Sequence, residues 1–423
     1  MRLLLFSHTT GYQLRAFNDA AERLGIELEF ATDRCHRLDD PWQDRAVPVR
    51  FYDLDASVDV VVTRAASRPV DGVIAVGDRP VVLAARAAEV LGLPWHSVQG
   101  AMASSDKRRS RAALAAAGLP APQYVVVPAH ENATAAARVW TGYPCVLKPV
   151  GLSGSRGVIR ADQPEGFIAA FDRIRALLAR PQVRAARAGL EDQILVETYI
   201  PGREFALEGV VTDGVLRVFA IFDKPDPLDG PFFEETIYVT PSTLSQSVQA
   251  DLVDHVQRGV AALGLRQGPV HAECRVTPDR TIYVLEIAAR PIGGLCSRVL
   301  SFSDGNGGPG VSLETVLLLH AVRHSIDGYS RDEGGAAVMM IPIPRKGMLK
   351  AVNGADEAWR VPGVSGVHVT AKIGQVLEPL PEAGSYLGFI FARGATAADA
   401  EASVRAAHRT LDFEIAKDVA VNR

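Results

Sequence analysis

The chain has 423 residues, of which 48% are hydrophobic and 22% charged, and its formal net charge is −4. This length suits roughly three domains with buried cores, and so balanced a charge gives no support for nucleic acid as the main partner. No run approaches the ~20 apolar residues of a membrane span, and the first apolar run, residues 3–6, is too short for a signal-peptide core. We therefore expect a soluble cytoplasmic protein with neither a nucleic-acid nor a membrane partner.

The cysteines are scattered along the chain, at Cys35, Cys145, Cys274 and Cys296. They form no CxxC pair and have no matching histidine cluster, so the sequence indicates neither a zinc site nor a disulfide framework. This pattern fits a reducing cytosol. The arginine-rich run at 173–187 is expected to be the solvated face of a helix rather than a basic binding patch.

Residues 1–103 alternate strand and helix patterns, as parallel α/β sheets do. The expected strands lie at 2–7, 26–32, 47–53 and 72–77, and the expected helices at 12–24, 57–66 and 80–91. Ligands of such sheets bind beyond the carboxyl ends of strands, so His8, Thr9, Gly11 and Asp78 are expected to meet a ligand. For Asp78, capping the following helix is an equal alternative. No GxGxxG follows the first strand, which argues against a dinucleotide-binding fingerprint.

A second unit begins near Ser104, where cap-forming residues precede a basic, alanine-rich helix. Within that helix, the default expectation for Lys107 is a surface lysine. After a strand at 124–127 and a helix at 133–141, Lys148 ends an apolar strand and points a cation into a cleft. The loop GLSGSRG follows at 151–157. Its glycines let backbone N–H groups approach phosphate oxygens, although glycine and serine between two strands most often form only a hairpin turn.

The next stretch predicts a long helix at 164–189, strands at 193–200 and up to 211, and a hairpin with an Asp213-Gly214 turn. Glu197, Glu204 and Glu208 lie on or beside these strands. Any of them could accept hydrogen bonds from ribose hydroxyls, with solvent exposure as the default for each. A strand after Phe232 and a helix at 245–263 follow.

Residues 268–294 contain two apolar runs around a Pro-Asp turn signal, which predicts an antiparallel hairpin. A turn centred between residues 279 and 280 places Glu273 opposite Glu286. Directly opposed like charges repel, and a hard divalent cation held between them would remove the repulsion. The alternative is an edge hairpin with two solvated glutamates. Arg290, four residues further on, could offer positive charge to a transferring phosphoryl group.

The last part of the chain has its own β pattern. A loop is expected up to residue 310 and a helix at 312–324. Residues 336–416 then combine apolar strand patterns with one closing helix at 397–411, which indicates a separate α+β unit.

Taken in this order, Lys107, Lys148, the GLSGSRG loop, the ETYIPGRE segment at 197–204, Glu273, Glu286 and Arg290 resemble the ATP-grasp superfamily. Within it, the chain looks most like carboxylate-amine ligases of the L-amino-acid ligase type. The resemblance implies an α/β plus α+β fold over the full length: an N-terminal parallel α/β (pre-ATP-grasp) domain at 1–103, an ATP-grasp central domain at 104–330 with a small lid at about 120–195, and a C-terminal β-rich α+β domain at 331–423.

The resemblance also implies which residues bind ATP. Two lysines would hold the phosphates beneath the glycine-rich loop, the 197–200 hinge would meet adenine, an acid would bind the ribose, and an apolar residue would pack under the base. These residues are Lys107, Lys148, Ser153, Gly154, Ser155, Glu197, Tyr199, Ile200, Glu204 and Leu285.

For the metal and the substrate, the resemblance assigns Glu273 and Glu286 to two Mg²⁺ ions, with Mn²⁺ as an alternative. Arg290 matches the arginine that steadies an acyl phosphate. Glu235 resembles a third acid near the amino-acid substrate, beside Gly293 and Gly294. Many family members have asparagine two residues after the second metal glutamate, where this chain has Ala288. One metal ion would then be held by fewer protein oxygens, with water or phosphate completing its shell.

The implied function is an ATP-dependent ligase that forms an amide (peptide) bond between a carboxylate, expected to be an amino acid, and an amine. The reaction would pass through an acyl phosphate and release ADP and phosphate. One alternative is a purine-pathway or biotin-carboxylase-like enzyme of the same superfamily, and another is a non-catalytic ATP-binding module, for which Ala288 is the hint. The expected partners are small-molecule substrates, and the resemblance leads us to expect a homodimer.

Overall fold

The computed structural model describes residues 1–8, 11, 13–33, 46–186, 190, 192–305 and 308–417. Thr9, Cys35, the expected helix start at Tyr12 and the expected helix end at Gly189 lie outside these ranges. Within them, no helix combines the length and the apolar content required to span a membrane. The thiols of Cys145, Cys274 and Cys296 are free and buried.

Four parallel strands in the order β3-β2-β1-β4 form the N-terminal sheet, which confirms the predicted α/β organisation. The third strand is shorter than the sequence predicts because Asp53 accepts a hydrogen bond from the backbone N–H of Ala56 and starts the next helix early. The elements are β1 (Arg2–Ser7), α1 (Leu14–Leu24), β2 (Glu27–Thr32), β3 (Ala46–Pro48), α2 (Leu54–Ser67), β4 (Gly72–Val76) and α3 (Pro80–Leu91).

Two consecutive helices, α4 (Val98–Ser104) and α5 (Lys107–Ala116), lead from this sheet to the next unit. The sequence analysis missed α4. The side chain of Asp106 caps α5 by accepting a hydrogen bond of 2.9 Å from the backbone N–H of Arg108, as the cap-forming residues predict. This cap fixes Lys107 in the first turn of α5, facing the cavity described below.

The lid has a four-stranded antiparallel sheet of its own, in the order β5-β8-β6-β7, and a separate apolar core that includes Phe167 and Phe171. The long helix predicted at 164–189 is divided, because a new helix starts at Pro181. As predicted, the GLSGSRG loop joins two strands, β6 and β7. The elements are β5 (Tyr124–Pro128), α6 (Ala133–Val139), β6 (Cys145–Pro149), β7 (Ile159–Ala161), α7 (Pro164–Leu178), α8 (Pro181–Ala186) and β8 (Gln193–Thr198).

The central unit contains the predicted hairpin with the Asp213-Gly214 turn and the hairpin at 268–288. A short 3-10 helix, Cys296–Val299, and one very short strand, Ser301–Ser303, lie in the region expected to be loop, and two further two-residue strands follow it. The elements are β9 (Arg203–Thr212), β10 (Val215–Asp223), β11 (Ile237–Thr240), α9 (Gln246–Leu263), β12 (Gly268–Val276), β13 (Ile282–Ala288), β14 (Ser301–Ser303), β15 (Val311–Ser312), α10 (Leu313–Ala321) and β16 (Ser330–Arg331).

The C-terminal part is α+β, as predicted, and most of a separate apolar core lies in it, but it does not form a sheet separate from the central one. Its strands β17, β21 and β19 continue the central sheet, whose eight strands run in the order β13-β12-β9-β10-β11-β17-β21-β19. It also has two helices and a final strand instead of one closing helix. The elements are β17 (Gly335–Ile341), β18 (Gly347–Asn353), α11 (Ala355–Arg360), β19 (Val364–Val369), β20 (Val376–Leu377), β21 (Gly388–Gly394), α12 (Ala397–Thr410) and β22 (Asp412–Ala416).

We expect Gly202→Ala to destabilise the protein more than Gly214→Ala. Both glycines have a positive φ, +107° and +85°, so either alanine incurs a backbone cost of about 1–2 kcal/mol. A Cβ at position 202 would also lie 2.2 Å from the carbonyl oxygen of Val276, whereas nothing lies within 4 Å at position 214. Thermal unfolding of the two variants in parallel measures the difference, and equal melting temperatures would contradict the close approach of Gly202 to β12.

Candidate active site

The hairpin of β12 and β13 pairs Glu273 with Glu286, as predicted. The register beyond that pair differs from the prediction, because Cys274 pairs with Val284 and leaves Leu285 as the extra residue of a β-bulge. Between the turn and the bulge, the strands are therefore paired one residue out of the predicted register. On the other side of the bulge, where Glu273 pairs with Glu286, the pairing is the predicted one. The two glutamates face each other on one side of the sheet.

A cavity of about 380 Å³ lies where the N-terminal unit, the lid, the central sheet and the C-terminal part meet. Every residue that the resemblance assigned to a site lines this cavity. They are Lys107, Lys148, Ser153, Gly154, Ser155, Glu197, Tyr199, Ile200, Glu204, Glu235, Glu273, Leu285, Glu286, Arg290, Gly293 and Gly294. His8, Gly11 and Asp78 line it too, as expected from their place beyond the parallel strands. The structure brings the predicted set together, while their individual roles remain predictions.

The lid side of the cavity is organised by Glu197, a buried acid on β8. Its carboxylate accepts a hydrogen bond of 2.9 Å from Nε of Arg111 and forms an ion pair with Nζ of Lys148. Burial alone would raise the pKa of Glu197, but the two cations outweigh it and lower this pKa to about 2. Nη1 of Arg111 also donates to the carbonyl oxygen of Leu285 at 2.6 Å. Sequence reasoning missed Arg111 because it is one of several arginines in a basic helix.

The glycine-rich loop is held at both ends. Nζ of Lys107 donates to the carbonyl oxygen of Leu152 at 2.6 Å, at the start of the loop. At its end, the backbone N–H of Gly157 donates to the carbonyl oxygen of Pro381 at 2.8 Å, in the C-terminal part. Two ion pairs support this second contact: Arg173 with Glu382, and Arg180 with Glu378 at 2.6 Å. Within the described part of the arginine-rich run, Arg173 and Arg175 lie on the exposed face of α7, as predicted, and Arg180 follows that helix. Arg173 and Arg180 bind carboxylates of the C-terminal part.

An ammonium group that the sequence analysis missed lies at the centre of the cavity's acids. Nζ of Lys224, at the end of β10, binds Glu204 at 2.7 Å, Glu273 at 3.1 Å and also Glu235. Although burial alone would lower the pKa of Lys224, the three carboxylates hold it well above its usual value. A signal was available, since Lys224 follows an apolar strand in the same way as Lys148.

The pKa values of two acids bound to Lys224, Glu235 and Glu273, are shifted in opposite directions. Burial, with repulsion from Glu273, raises the pKa of Glu235 to about 8. The pKa of Glu273 is lowered, because Lys224 outweighs the effect of burial. The carboxylate oxygens of Glu204, Glu235 and Glu273 lie within 4.8 Å of one another, the one such group among the described residues, and Glu286 is not a member of it. Lys224 already supplies the cation of this cluster. The hard oxygen donors that fit Mg²⁺ or Mn²⁺ are therefore those of the opposed pair, Glu273 and Glu286.

Arg290 is held by the N-terminal unit. Its Nε donates to Oδ1 of Asp78 at 2.6 Å, so Asp78 is an ion-pair partner. The alternative that Asp78 caps α3 is wrong, since the cap position is Arg79 and lacks a side-chain hydrogen bond. The pKa of Arg290 is raised because Asp78 and the more distant Glu286 and Glu273 outweigh burial. A guanidinium group is therefore kept charged and in place beside the two opposed glutamates.

Glu208 and His271 form a buried pair next to these glutamates. Nδ1 of His271 lies 3.1 Å from Glu208, whose oxygens also accept hydrogen bonds from the backbone N–H of Ile292. Glu208 is 0% exposed and its pKa is raised by burial. Both possibilities considered for Glu208, a ribose contact and solvent exposure, are therefore wrong. His271 was not singled out in the sequence, although it is the residue of β12 two positions before Glu273.

The cavity has an apolar wall that sequence patterns did not indicate. Four of its residues come from the C-terminal part of the chain, and two others precede it. They are Met340, Gly384, Tyr386, Phe389, Tyr238 and Cys296. Because the wall is assembled from segments far apart in the chain, no local pattern could have marked these residues as neighbours.

Comparison with known protein families gives three matches in chain order. The ATP-grasp N-terminal domain matches residues 18–95, the ATP-grasp domain residues 141–299, and the L-amino acid ligase C-terminal domain 2 residues 339–416. The crystal structure of L-amino acid ligase from Bacillus licheniformis is similar at a TM-score of 0.82 and 27% identity, over 98% of this chain and 99% of that chain.

Two relatives were compared at the sequence level. The chain is 29% identical over 248 residues to alanine–anticapsin ligase of Bacillus subtilis, covering 56% of this chain and 52% of that protein. It is 31% identical over 208 residues to D-alanine–D-alanine ligase of Aromatoleum aromaticum, covering 48% of this chain and 62% of that protein. The match thus spans about half the length of the first relative and less than two thirds of the second.

We expect Glu197→Gln to lower the free energy of unfolding at pH 7 by about 3 kcal/mol, because it leaves two buried cations without their counter-charge. The pKa of Glu197 is depressed from 4.5 to about 2, so its stabilising contribution is complete above pH 4.5 and is lost as the pH falls towards 2. Denaturant unfolding of both proteins between pH 3 and pH 7 tests this. A difference that stays constant or grows with acidification would contradict the assignment.

Proposed function

We propose that this chain, which belongs to the ATP-grasp superfamily, is an ATP-dependent ligase that forms an amide bond between an amino acid and an amine. The main observation behind the proposal is which part of the chain forms the apolar wall. Met340, Gly384, Tyr386 and Phe389 lie in the region that matches an L-amino acid ligase C-terminal domain, and they face the same cavity as the opposed glutamates. A substrate side chain packed on this wall would place its carboxylate towards the charged end of the cavity.

In this proposal ATP lies between the lid and the central sheet. Lys107 and Lys148 bind its phosphates, and Ser153, Gly154 and Ser155 close over them with backbone and hydroxyl donors. The 197–200 hinge meets the adenine, Leu285 packs under it, and Glu204 binds the ribose. The predicted positions support these roles because all of them line one cavity.

Glu273 and Glu286 would hold Mg²⁺, or Mn²⁺ in its place, which when bound neutralises the charge of the ATP phosphates. The chain's own residues would position the substrates and stabilise the charge of the intermediate. Arg290, kept in place by Asp78, lies where it can stabilise negative charge on an acyl phosphate. The substrate carboxylate attacks the γ-phosphorus of ATP and ADP leaves. The amine then attacks the acyl carbon, and phosphate leaves with the formation of the amide.

The glycine-rich loop has the task of excluding water, which would otherwise hydrolyse the acyl phosphate. Its ties to residues 378–382 suit that task, because they hold the loop against the C-terminal part that forms the substrate wall. No protein nucleophile is required by this chemistry.

The alternative of a purine-pathway or biotin-carboxylase-like enzyme is less supported, since the C-terminal part matches the L-amino acid ligase domain. The remaining alternative is a binding module without turnover. We place the reaction in the cytoplasm, which the three buried free thiols suit. Small molecules are the proposed partners, and a homodimer the proposed assembly.

The decisive experiment measures ADP release with Mg²⁺-ATP and a panel of amino acids, singly and in pairs, with mass spectrometry of the products. A dipeptide or related amide formed together with ADP supports the ligase. Stimulation by bicarbonate alone would favour the carboxylase-like alternative. Binding of ATP without ADP release for any acid and amine pair would favour the binding module.

We expect Glu286→Gln to reduce ADP formation by more than about 100-fold, because it removes one carboxylate of the proposed metal pair. The variant should unfold at nearly the wild-type temperature. Glu89→Gln, an exposed glutamate of α3 outside the cavity, is the matched control and should retain full activity. Unchanged turnover in Glu286→Gln would refute the metal assignment.

We expect the double substitution Glu378→Gln and Glu382→Gln to increase the ADP released without amide formation several-fold. Each partly exposed ion pair contributes about 0.2–1 kcal/mol to holding the loop closed. Asp55→Asn, which breaks the ion pair with Arg86 in the N-terminal unit, is the control. The measurement is the ratio of amide to ADP at saturating substrate. An unchanged ratio would show that these ion pairs do not control access of water.

A further inference from the structure

We propose that the imidazole of His271 is a third protein ligand of the divalent cation at Glu273 and Glu286. This inference rests on the proposed function, because it concerns the cation that would accompany ATP. It assigns a nitrogen donor to a site otherwise made of carboxylate oxygens.

The hairpin places His271 on the correct face. Side chains two residues apart on a strand point to the same side of the sheet, so His271 and Glu273 share one face. Across the hairpin, His271 pairs with Ala288, and Glu273 pairs with Glu286. The four positions therefore form a square in which three side chains can bind a cation and the fourth, a methyl group, cannot. Directly paired Cβ atoms lie about 5 Å apart. Nε2 of His271 and Oε1 of Glu273 are already 4.0 Å apart, and the carboxylate of Glu286 would turn towards them to complete the set, since the three do not lie within 4.8 Å of one another without a cation.

The imidazole is buried and has an available nitrogen. His271 is 5% exposed and lines the cavity. Its Nε2 lies 4.0 Å from Oε1 of Glu273, and within the described part of the chain it has no hydrogen-bond partner at normal distance. This nitrogen belongs to a residue that lines the cavity, and it lies near the acids at which a cation would bind.

Glu208 holds the imidazole of His271 in the tautomer that a metal ion requires, with the proton on Nδ1. Its oxygens already accept hydrogen bonds from the N–H of Ile292, so Nδ1 of His271 is assigned as the N–H that donates to Glu208. In that tautomer Nε2 carries a lone pair directed into the cavity. Histidines that bind metals almost always donate their other N–H to a carboxylate, a backbone carbonyl or water, which orients the ring and strengthens the ligand.

A nitrogen ligand also predicts which cations bind best. Imidazole favours transition metals over Mg²⁺, and at a given site Co²⁺ binds more tightly than Mn²⁺. We therefore expect Mn²⁺ and Co²⁺ to bind the protein more tightly than Mg²⁺, by a margin that falls when His271 is replaced with alanine.

The direct test is spin-echo EPR of Mn²⁺ bound to the full chain in the presence of a non-hydrolysable ATP analogue. With histidine labelled by ¹⁵N, we expect a nitrogen coupling that changes from ¹⁴N to ¹⁵N and disappears in His271→Ala. His130→Ala, which removes an exposed histidine of the lid, should retain it. Bound Mn²⁺ without the coupling would overturn the proposal and leave the ligase untouched. Failure to bind Mn²⁺ at all would overturn it as well.

A rescue experiment separates metal binding from a purely structural role of His271. We expect His271→Ala to weaken Mn²⁺ binding by about 10–100-fold and Glu208→Gln by about 10-fold. Adding Ala288→Asn to His271→Ala supplies an amide oxygen from the paired position and should restore most of the affinity. Thermal unfolding of each variant monitors folding. Folded His271→Ala protein with wild-type Mn²⁺ affinity, or a double variant without rescue, would contradict the proposal.

Discussion

The cavity depends on one buried ammonium group, that of Lys224. Three carboxylates whose oxygens lie within 4.8 Å of one another would destabilise the folded chain, since two like charges 4 Å apart cost about 4 kcal/mol at an effective dielectric constant of about 20. Lys224 offsets this repulsion by binding all three acids, and Arg275 adds a second cation at Glu204 with a contact of 3.0 Å. The acids can therefore be assembled before any cation or nucleotide arrives. The same acids therefore contribute to the charge balance of the folded chain and to the proposed chemistry.

Arg111 plays the corresponding part on the lid side, where it connects three segments. Its guanidinium binds Glu197 of the lid and the bulge carbonyl of Leu285 while its own backbone belongs to α5. The side chain is 1% exposed, so both contacts lie away from competing water. This one arginine therefore links the hairpin to the lid strand whose Glu197 also pairs with Lys148.

Local patterns predicted the elements and even the pairing of Glu273 with Glu286, because strand alternation and turn residues act over a few positions. The bulge at Leu285 was not predictable in this way, since it depends on a contact with Arg111, which lies 174 residues earlier. The apolar wall was missed for the same reason, whereas Lys224 had a local signal, its place after an apolar strand, that was not used. The C-terminal strands were assigned to a unit of their own because their apolar pattern is the same whether they form a new sheet or extend an old one. All of the site residues that the resemblance predicted line the cavity. The resemblance did not predict which contacts hold those residues in place.

The continuous eight-stranded sheet has a consequence for synthesis of the protein on the ribosome. The opposed glutamates are on its first two strands, β13 and β12, whereas β21, which carries Phe389 of the apolar wall, is the seventh strand and ends at Gly394. A nascent chain that has emerged only as far as the ATP-grasp region lacks both the far strands and the segment that ties down the glycine-rich loop. If the proposed function holds, such a chain could not enclose an acyl phosphate, so a fragment would not consume ATP productively. The chain becomes competent for the proposed reaction only when nearly all of it has been translated.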